Sequence, residues 1–418
     1  MKLRTISVAA AAALALTLSA CGSGNGSSNT SSEASNAGGG TTDVTLTVWA
    51  PAEDQPTSDS WLQTQEAAFE AAHPEYKMTW TNAIVSEGDT GNTVKQDPTA
   101  AADVYLFAND QLGALVQANA VGVLPPDSAT QVQSQNTDLM ISSVTGTDGK
   151  LYGVPYTSNT WFLYYDKSKF TADDIKSLDA MLAKDKVAFP LTNSWYIASF
   201  YVGNGCTLFG PNGTDESAGI DFGGEKADTV TSYLVDLVAN PNFVNDGAGE
   251  GLAGLQNGTI AAMFSGSWDA AAVKAALGDN YAAAQPPAYT LNGKQVPMKA
   301  FAGSKAAAFN PNAANPTVAS QFAAFLGSKD AQSAHYTMRN VIPSDKDLAS
   351  DPTISSDPVA IAQMDTIANT SILQPTVTKM GTYWDPAASF GQALISGDVN
   401  ASNAAEKTEA WNASYAAS

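Results

Sequence analysis

Apolar and polar residues alternate where the folded part of the chain begins: Val44, Leu46 and Val48 interleave with Thr45, Thr47 and Trp49, the period-two pattern of a half-buried strand. The spacing then changes. Trp61, Leu62, Phe69 and Ala72 fall near one face of a helix that Ser60 can cap and that Pro74 stops after His73. Residues 76–80 read as the next strand, 103–107 as a short, almost wholly apolar strand, and 110–118 as a helix opening directly after it. Such winding predicts an α/β fold with strands covered on both faces. Farther on, Val230, Tyr233, Leu234, Leu237 and Val238 mark a helix over 226–239. Asn315 as cap, Pro316 at the first helical position, Val318, Phe322, Phe325 and Leu326 on one stripe, and Gly327 past the end delimit the clearest helix of the chain. No solenoid repeat is present, and the Ala-, Ser- and Asp-rich chain from Asp345 onward reads as helices.

The chain start has a different hydropathy pattern. Lys2 and Arg4 precede an apolar run from Ile6 to Leu18, too short to span a bilayer, and Leu18-Ser19-Ala20-Cys21 closes it with small residues before a cysteine. Residues 1–20 are expected to be a signal peptide, and the segment resembles that of bacterial lipoproteins, in which the cysteine becomes the first mature residue and carries the lipid. Two acyl chains on Cys21 would suffice as an anchor; an ordinary cleaved leader with an incidental cysteine is the alternative. Residues 21–42 are nearly all Gly, Ser, Asn, Thr and Ala, with a single charge at Glu33, a tether with an average reach of roughly 25 Å. No later stretch approaches eighteen uninterrupted apolar residues. The expected location is therefore the extracellular face of a cell membrane, most simply that of a Gram-positive bacterium, reached through the lipid anchor alone.

Some 376 residues beyond the tether are too many for one small core, so two lobes are expected. The formal charge of −21 grows more negative once Lys2 and Arg4 are removed, which argues against nucleic acid or an anionic membrane surface as partner. Cys21 and Cys206 are the only cysteines; with Cys21 acylated no internal disulfide can form, and Cys206 reads as a buried inert thiol. H-E-x-x-H, G-x-S-x-G and P-loop motifs are absent. His73 and His335 are the only histidines, poor material for a histidine metal site or a Ser-His-Asp triad. No metal, cofactor or catalytic residue is expected. The adjacent acids Glu53/Asp54 and Asp173/Asp174 read as solvated loops, since glycosidase carboxylates must face each other across a substrate.

Tryptophan carries more information. Trp195, Trp268 and Trp384 lie in turn-like stretches, Thr192-Asn193-Ser194-Trp195, Phe264-Ser265-Gly266-Ser267-Trp268 and Gly381-Thr382-Tyr383-Trp384-Asp385. An indole offers a flat apolar face for the C–H side of a pyranose, while the sugar hydroxyls need carboxylate and amide partners in the ring plane. Core packing is the competing explanation for each tryptophan.

Several segments taken in order resemble maltose/maltodextrin-binding proteins, family 1 of the extracellular solute-binding proteins of ABC sugar importers. Residues 103–117, an apolar strand ending in Phe107 followed by Ala108-Asn109-Asp110, resemble that family's strand, polar turn and helix. Residues 153–167 resemble its Tyr-Pro crossover strand, Asn257-Gly258 through Trp268 its Asn-Gly and Gly-x-Trp stretch, Tyr383-Trp384 its late aromatic pair, and residues 301–310 a return strand. The resemblance implies a two-lobed, type II periplasmic-binding-protein-like α/β fold, with crossover hinge strands and a ligand cleft between the lobes. It divides the chain into an N-terminal lobe of residues 43–157 plus 305–341 and a C-terminal lobe of residues 160–300 plus 344–418.

Carried over position by position, the resemblance implies ligand contacts from Phe107, Asp110 and Gln111, from Glu53 and Asp54 after the first strand, from Asn159 at the crossover, and from the stacking platform Trp195, Trp268 and Trp384. Phe107 stands where the family commonly has Trp, Gln111 where it has Arg, Asp54 where a basic residue is usual and Asn159 where Glu is usual; an aromatic is lost around Ala248. The platform is kept while the hydroxyl clamps change. The implied function is a monomeric, non-enzymatic lipoprotein that captures oligosaccharides, most simply maltodextrins or other α-gluco-oligosaccharides, by hinge closure and delivers them to a membrane permease. The alternatives are an extracellular glycoside hydrolase and a surface carbohydrate-adhesion module.

Overall fold

The computed structural model describes residues 41–416; the expected signal peptide, Cys21 and all but the end of the tether lie outside them. Its strands in chain order are β1 (Thr42–Ala50), β2 (Tyr76–Ile84), β3 (Val104–Ala108), β4 (Val154–Asn159), β5 (Phe162–Asp166), β6 (Val187–Phe189), β7 (Thr207–Leu208) and β8 (Ile220–Asp221). They continue as β9 (Phe243–Asn245), β10 (Ala262–Ser265), β11 (Tyr281–Ala284), β12 (Ala288–Leu291), β13 (Lys294–Pro297), β14 (Ala300–Phe309) and β15 (Ser371–Leu373).

Two sheets organise the molecule. The first runs β15-β14-β3-β1-β2, with β4 also pairing β14, and the second runs β11-β5-β10-β6-β9. In the first, β1 is parallel to β2 over its whole length, from Thr42 opposite Tyr76 to Ala50 opposite Ile84, and parallel to β3. Burying Val44, Leu46 and Val48 on one face of β1 is what the alternating pattern dictates. Each sheet has its own core: Leu46, Val104, Leu106, Phe107 and Phe322 belong to one, Leu163, Phe189, Phe200 and Phe264 to the other. These are two lobes, each wrapped in helices, as an α/β chain of this length requires.

The chain passes between the lobes at three places. Tyr156 on β4 lies in the first core and Trp161, two residues past that strand, in the second. On β14, Ala300 and Phe301 lie in the second core while Ala306–Phe309 lie in the first, so one ten-residue strand serves both halves. The third passage is near Ile342, between Ala331 in the first core and Ile354, which clusters with Phe162 and Tyr164 of β5. Side chains tie the passages together: the Thr157 hydroxyl donates to the Ile342 carbonyl at 2.5 Å and the Thr160 hydroxyl to the Phe301 carbonyl at 2.8 Å. Gly303 is required here, because a Cβ would stand 2.1 Å from Oδ1 of Asn109.

The expected elements form with local differences. The helix Trp61–Ala72 begins after Ser60 and ends at His73, but the Ser60 hydroxyl accepts the Thr57 amide at 2.9 Å instead of capping the helix. The helix Pro316–Leu326 has the predicted bounds. After β3 the chain first makes a 3-10 turn, Asn109–Gln111, before the helix Leu112–Gln117; Asp110 sits inside that turn and is not a cap. Cys206 is 2% exposed, and burial pushes its thiol up to about 12, which leaves it protonated and inert.

Candidate functional site

A cavity of about 680 Å³ opens between the lobes, and six of the nine expected ligand residues line it: Asp110, Gln111, Asn159, Trp195, Trp268 and Trp384. They arrive there because parallel strands end there. The turn bearing Asp110 follows the carboxyl end of β3, and Ser267-Trp268 follows that of β10, the end of an open α/β sheet at which ligands bind. Trp195 is held at the start of the helix Ser194–Gly203, where the Asn193 side chain accepts its backbone amide at 2.9 Å. Its indole N–H donates to Oε1 of Gln374 at 2.6 Å, which fixes the ring. Trp268 lies 6.0 Å from Trp195 at an interplanar angle of 37°, and Trp384 packs edge-on against Phe301 at 6.1 Å.

Trp268 differs from its partners. Trp195 and Trp384 lean on the core of the second lobe, whereas Trp268 is 46% exposed and belongs to no core cluster. Its ring rests on Gly266, where a Cβ would come within 2.1 Å of Cζ3. From the opposite lobe, Lys305 on β14 places its Nζ 5.9 Å from the Trp268 ring centroid and 3.1 Å from Oε1 of Glu87; Glu87 also accepts the Tyr156 hydroxyl at 2.6 Å. Both lobes thus touch the platform.

The polar groups divide by whether the protein already occupies them. The amide of Asn159 has no protein hydrogen bond among the described residues and lines the cavity, so all its donors and acceptors are open to a ligand. The carboxyl of Asp110 is raised to about 7, because protein crowds it in the depth of the cleft; its own backbone, Lys95 and Gln374 oppose that rise. Part of its side chain still meets solvent. Gln111 is spent on the loop beside it: its amide donates to the Glu87 and Gly88 carbonyls at 2.7 Å each and its Oε1 accepts the Gly91 amide. It shapes the rim and has little left for a ligand.

Three expectations change. Phe107 is fully buried in the first-lobe core and its ring packs under Gly153 and Ala306, because both faces of β3 are covered. Glu53 and Asp54 line an adjoining recess of about 290 Å³ and not the main cavity. Asp54 is not a solvated loop acid: it is 1% exposed, 2.9 Å from Nε2 of His335 and paired with Arg339. Burial tends to raise its carboxyl, but His335 and Arg339 outweigh burial and hold it below the usual range. Lys95, Lys305, Gln374 and Asp385 also line the cavity and escaped the sequence reading. Lys305 is the one charge in the largely apolar β14, and Asp385 adjoins Trp384, two signals that were available.

A larger cavity of about 770 Å³ lies among residues 142–149, 202–214 and 372–377, but its walls carry no aromatic and no charged side chain. Among the described residues no group of three or more His, Cys, Asp or Glu side chains is placed to hold a metal ion.

Two lobes crossed by shared strands, with an aromatic-walled cavity between them, are the architecture of a protein that closes on a small solute. The chain belongs to the bacterial extracellular solute-binding proteins, whose family model matches residues 65–362. It is 27% identical over 321 residues to a maltooligosaccharide ABC transporter solute-binding lipoprotein of Streptococcus pneumoniae serotype 4, covering 72% of this chain and 74% of that one. A solved structure described as "with acarbose" is 48% identical, with a TM-score of 0.86 over 89% of this chain and 98% of that one. The maltodextrin-binding protein of L. casei BL23, solved without ligand, is 29% identical, with a TM-score of 0.80 over 89% of this chain and 99% of that one.

Proposed function

We propose that this protein captures α-gluco-oligosaccharides of the maltodextrin type outside the cell and hands them to the membrane permease of an ABC importer, without chemical change to the sugar. The observation that carries the reading is the meeting of Trp195, Trp268 and Trp384 with the unengaged amide of Asn159 and the carboxyl of Asp110 in one cavity. Indole faces suit the apolar sides of pyranose rings, and the polar groups suit their hydroxyls. The maltooligosaccharide relative and the acarbose-bound structure support this choice of sugar.

In this reading the lobes are residues 43–157 plus 305–341 and 160–300 plus 344–418, and they close about the crossing strands. The mature chain is a monomer held through lipid on Cys21 at the outer face of a Gram-positive cell membrane. Tethering raises its local concentration beside the permease. Release must follow capture, so an affinity near micromolar, about −8 kcal/mol, fits the task. Titration calorimetry with maltotriose, isomaltotriose, raffinose and xylotriose tests the reading: heat with maltotriose is expected, and no heat with any of them overturns it. Chromatography of the sugar after long incubation checks for hydrolysis, and a shortened product would make the protein a glycosidase.

A further inference from the structure

We propose that the ligand site continues past Trp268, through the recess behind it, into a third cavity that holds the far residues of an oligosaccharide too long for the main cavity. This rests on the oligosaccharide reading and extends it. Three cavities lie in series and share walls. Asn159, Trp268 and Lys305 line both the main cavity and the recess of about 290 Å³. Ala270, Ala271 and Asn340 line both that recess and a further cavity of about 450 Å³, which is in the size range of a small-ligand site.

The route has the chemistry of a sugar track. Trp268 is 46% exposed and Met338, in the recess, 44% exposed, so the passage offers two open apolar surfaces beside its charged side chains. At the threshold stand the small side chains of Ala270 and Ala271. The third cavity ends on two aromatic rings, Tyr281 and Tyr336, with Lys274 and Asp357 beside them.

Much of the hydrogen-bonding capacity there is unspent. The Tyr281 hydroxyl has no protein hydrogen bond and Lys274 no ion pair among the described residues. Oδ1 of Asp357 accepts the Val359 amide at 2.8 Å, but its Oδ2 accepts only the Tyr336 hydroxyl, at 3.4 Å. Aromatic faces ringed by donors and acceptors that the fold does not consume are what hydroxyl-rich rings require.

The test is calorimetric titration of the full folded chain with maltotriose and then maltopentaose and maltoheptaose. Affinity is expected to rise at least tenfold from the trisaccharide to the heptasaccharide. Ala271 is exposed, so Ala271→Trp obstructs the passage without touching either core; it should hold maltotriose affinity within twofold and abolish the rise. Lys274→Ala, also at an exposed position, should reduce the rise in the same direction. Equal affinity for all lengths in the unaltered chain, or a rise that survives Ala271→Trp, overturns the extension and leaves the main site standing. No binding of any of these sugars overturns both.

Discussion

Replacing Trp268 with alanine separates a ligand platform from a packing residue more cleanly than any other change in this molecule. A tryptophan carries about 250 Å² of surface, and with 46% of Trp268 exposed roughly 100 Å² is available for a sugar to cover. At about 25 cal/mol/Å², full coverage is worth roughly 2.5 kcal/mol and half coverage somewhat over 1. Trp268→Ala should therefore weaken maltotriose binding between about tenfold and about sixtyfold. The fold should scarcely notice. What the ring touches is Gly266, the tilted ring of Trp195 and the Lys305 ammonium, and none of these contacts closes a core void, so truncation leaves an open surface and costs about 1 kcal/mol. In a chain of this size that lowers the melting temperature by only about 2 °C. Calorimetric titration gives the affinity, and a thermal scan without ligand gives the second number. Unchanged affinity would remove Trp268 from the platform; a melting temperature lowered by ten degrees or more would make it a structural residue.

Asp110, whose carboxyl burial raises to about 7, should make capture depend on pH. A sugar hydroxyl donating to it favours the ionised form, so affinity should rise about tenfold from pH 6 to pH 8, since one unit below its pKa only about one carboxyl in eleven is ionised; Asp110→Asn should flatten the profile, and a fall over this range would mean that the protonated acid is the donor. Asp54→Asn should cost about 2–4 kcal/mol of stability by denaturant titration, because it leaves Arg339 and His335 beside an uncharged partner in a buried site, while affinity stays within twofold; a large loss of affinity with intact stability would restore Asp54 to the ligand. Burial raises the Glu66 carboxyl to about 7 against the hydrogen bond from Asn82. A raised carboxylate contributes stability that is complete below its unfolded value of about 4.5 and is lost as pH rises through 7, so Glu66→Gln should gain about 2 kcal/mol relative to the parent at pH 8 and nothing at pH 4; equal stability at both pH values would refute it.

Local periodicity made most of the framework readable. β1, the helix Trp61–Ala72 and the helix Pro316–Leu326 follow from alternation, stripes and stop signals, whereas β14, buried along nearly its whole length, was expected only from the family resemblance. The tryptophans of the cleft were legible because they sit beside turn residues at element edges. Phe107 was not, because β3 is buried on both faces and a strand without alternation does not say which side chain meets the ligand. Asp54 looked like a solvated acid because its partners are 281 and 285 residues away in sequence; no local pattern announces a salt bridge of that separation. Gln111 lines the cavity as expected, but its engagement by the protein was hidden for a related reason. Its type suits a sugar hydroxyl, but the loop at 87–91 consumes it, and that competition exists only once the chain is folded.

The charges around the cleft decide what kind of solute it can hold. The buried acids of the recess are paired within the protein, Asp54 with His335 and Arg339 and Glu87 with Lys305 and the Tyr156 hydroxyl. A charged ligand seeking one of these groups would have to break its pair and leave the other member buried and uncompensated, a loss of several kcal/mol. A neutral polyhydroxylated ligand makes no such demand. It needs apolar faces, which Trp195, Trp268 and Trp384 supply, and open donors and acceptors, which Asn159 and Asp110 supply. Lys305 belongs to both sets: Glu87 holds it on the first lobe while its ammonium faces the platform of the second. A sugar that slides between Lys305 and Trp268 replaces one cation contact with a stacked ring and hydroxyl hydrogen bonds to the same ammonium. The direct contact across the cleft is thereby exchanged for one made through the ligand, and that exchange is how binding can favour the closed arrangement of the lobes.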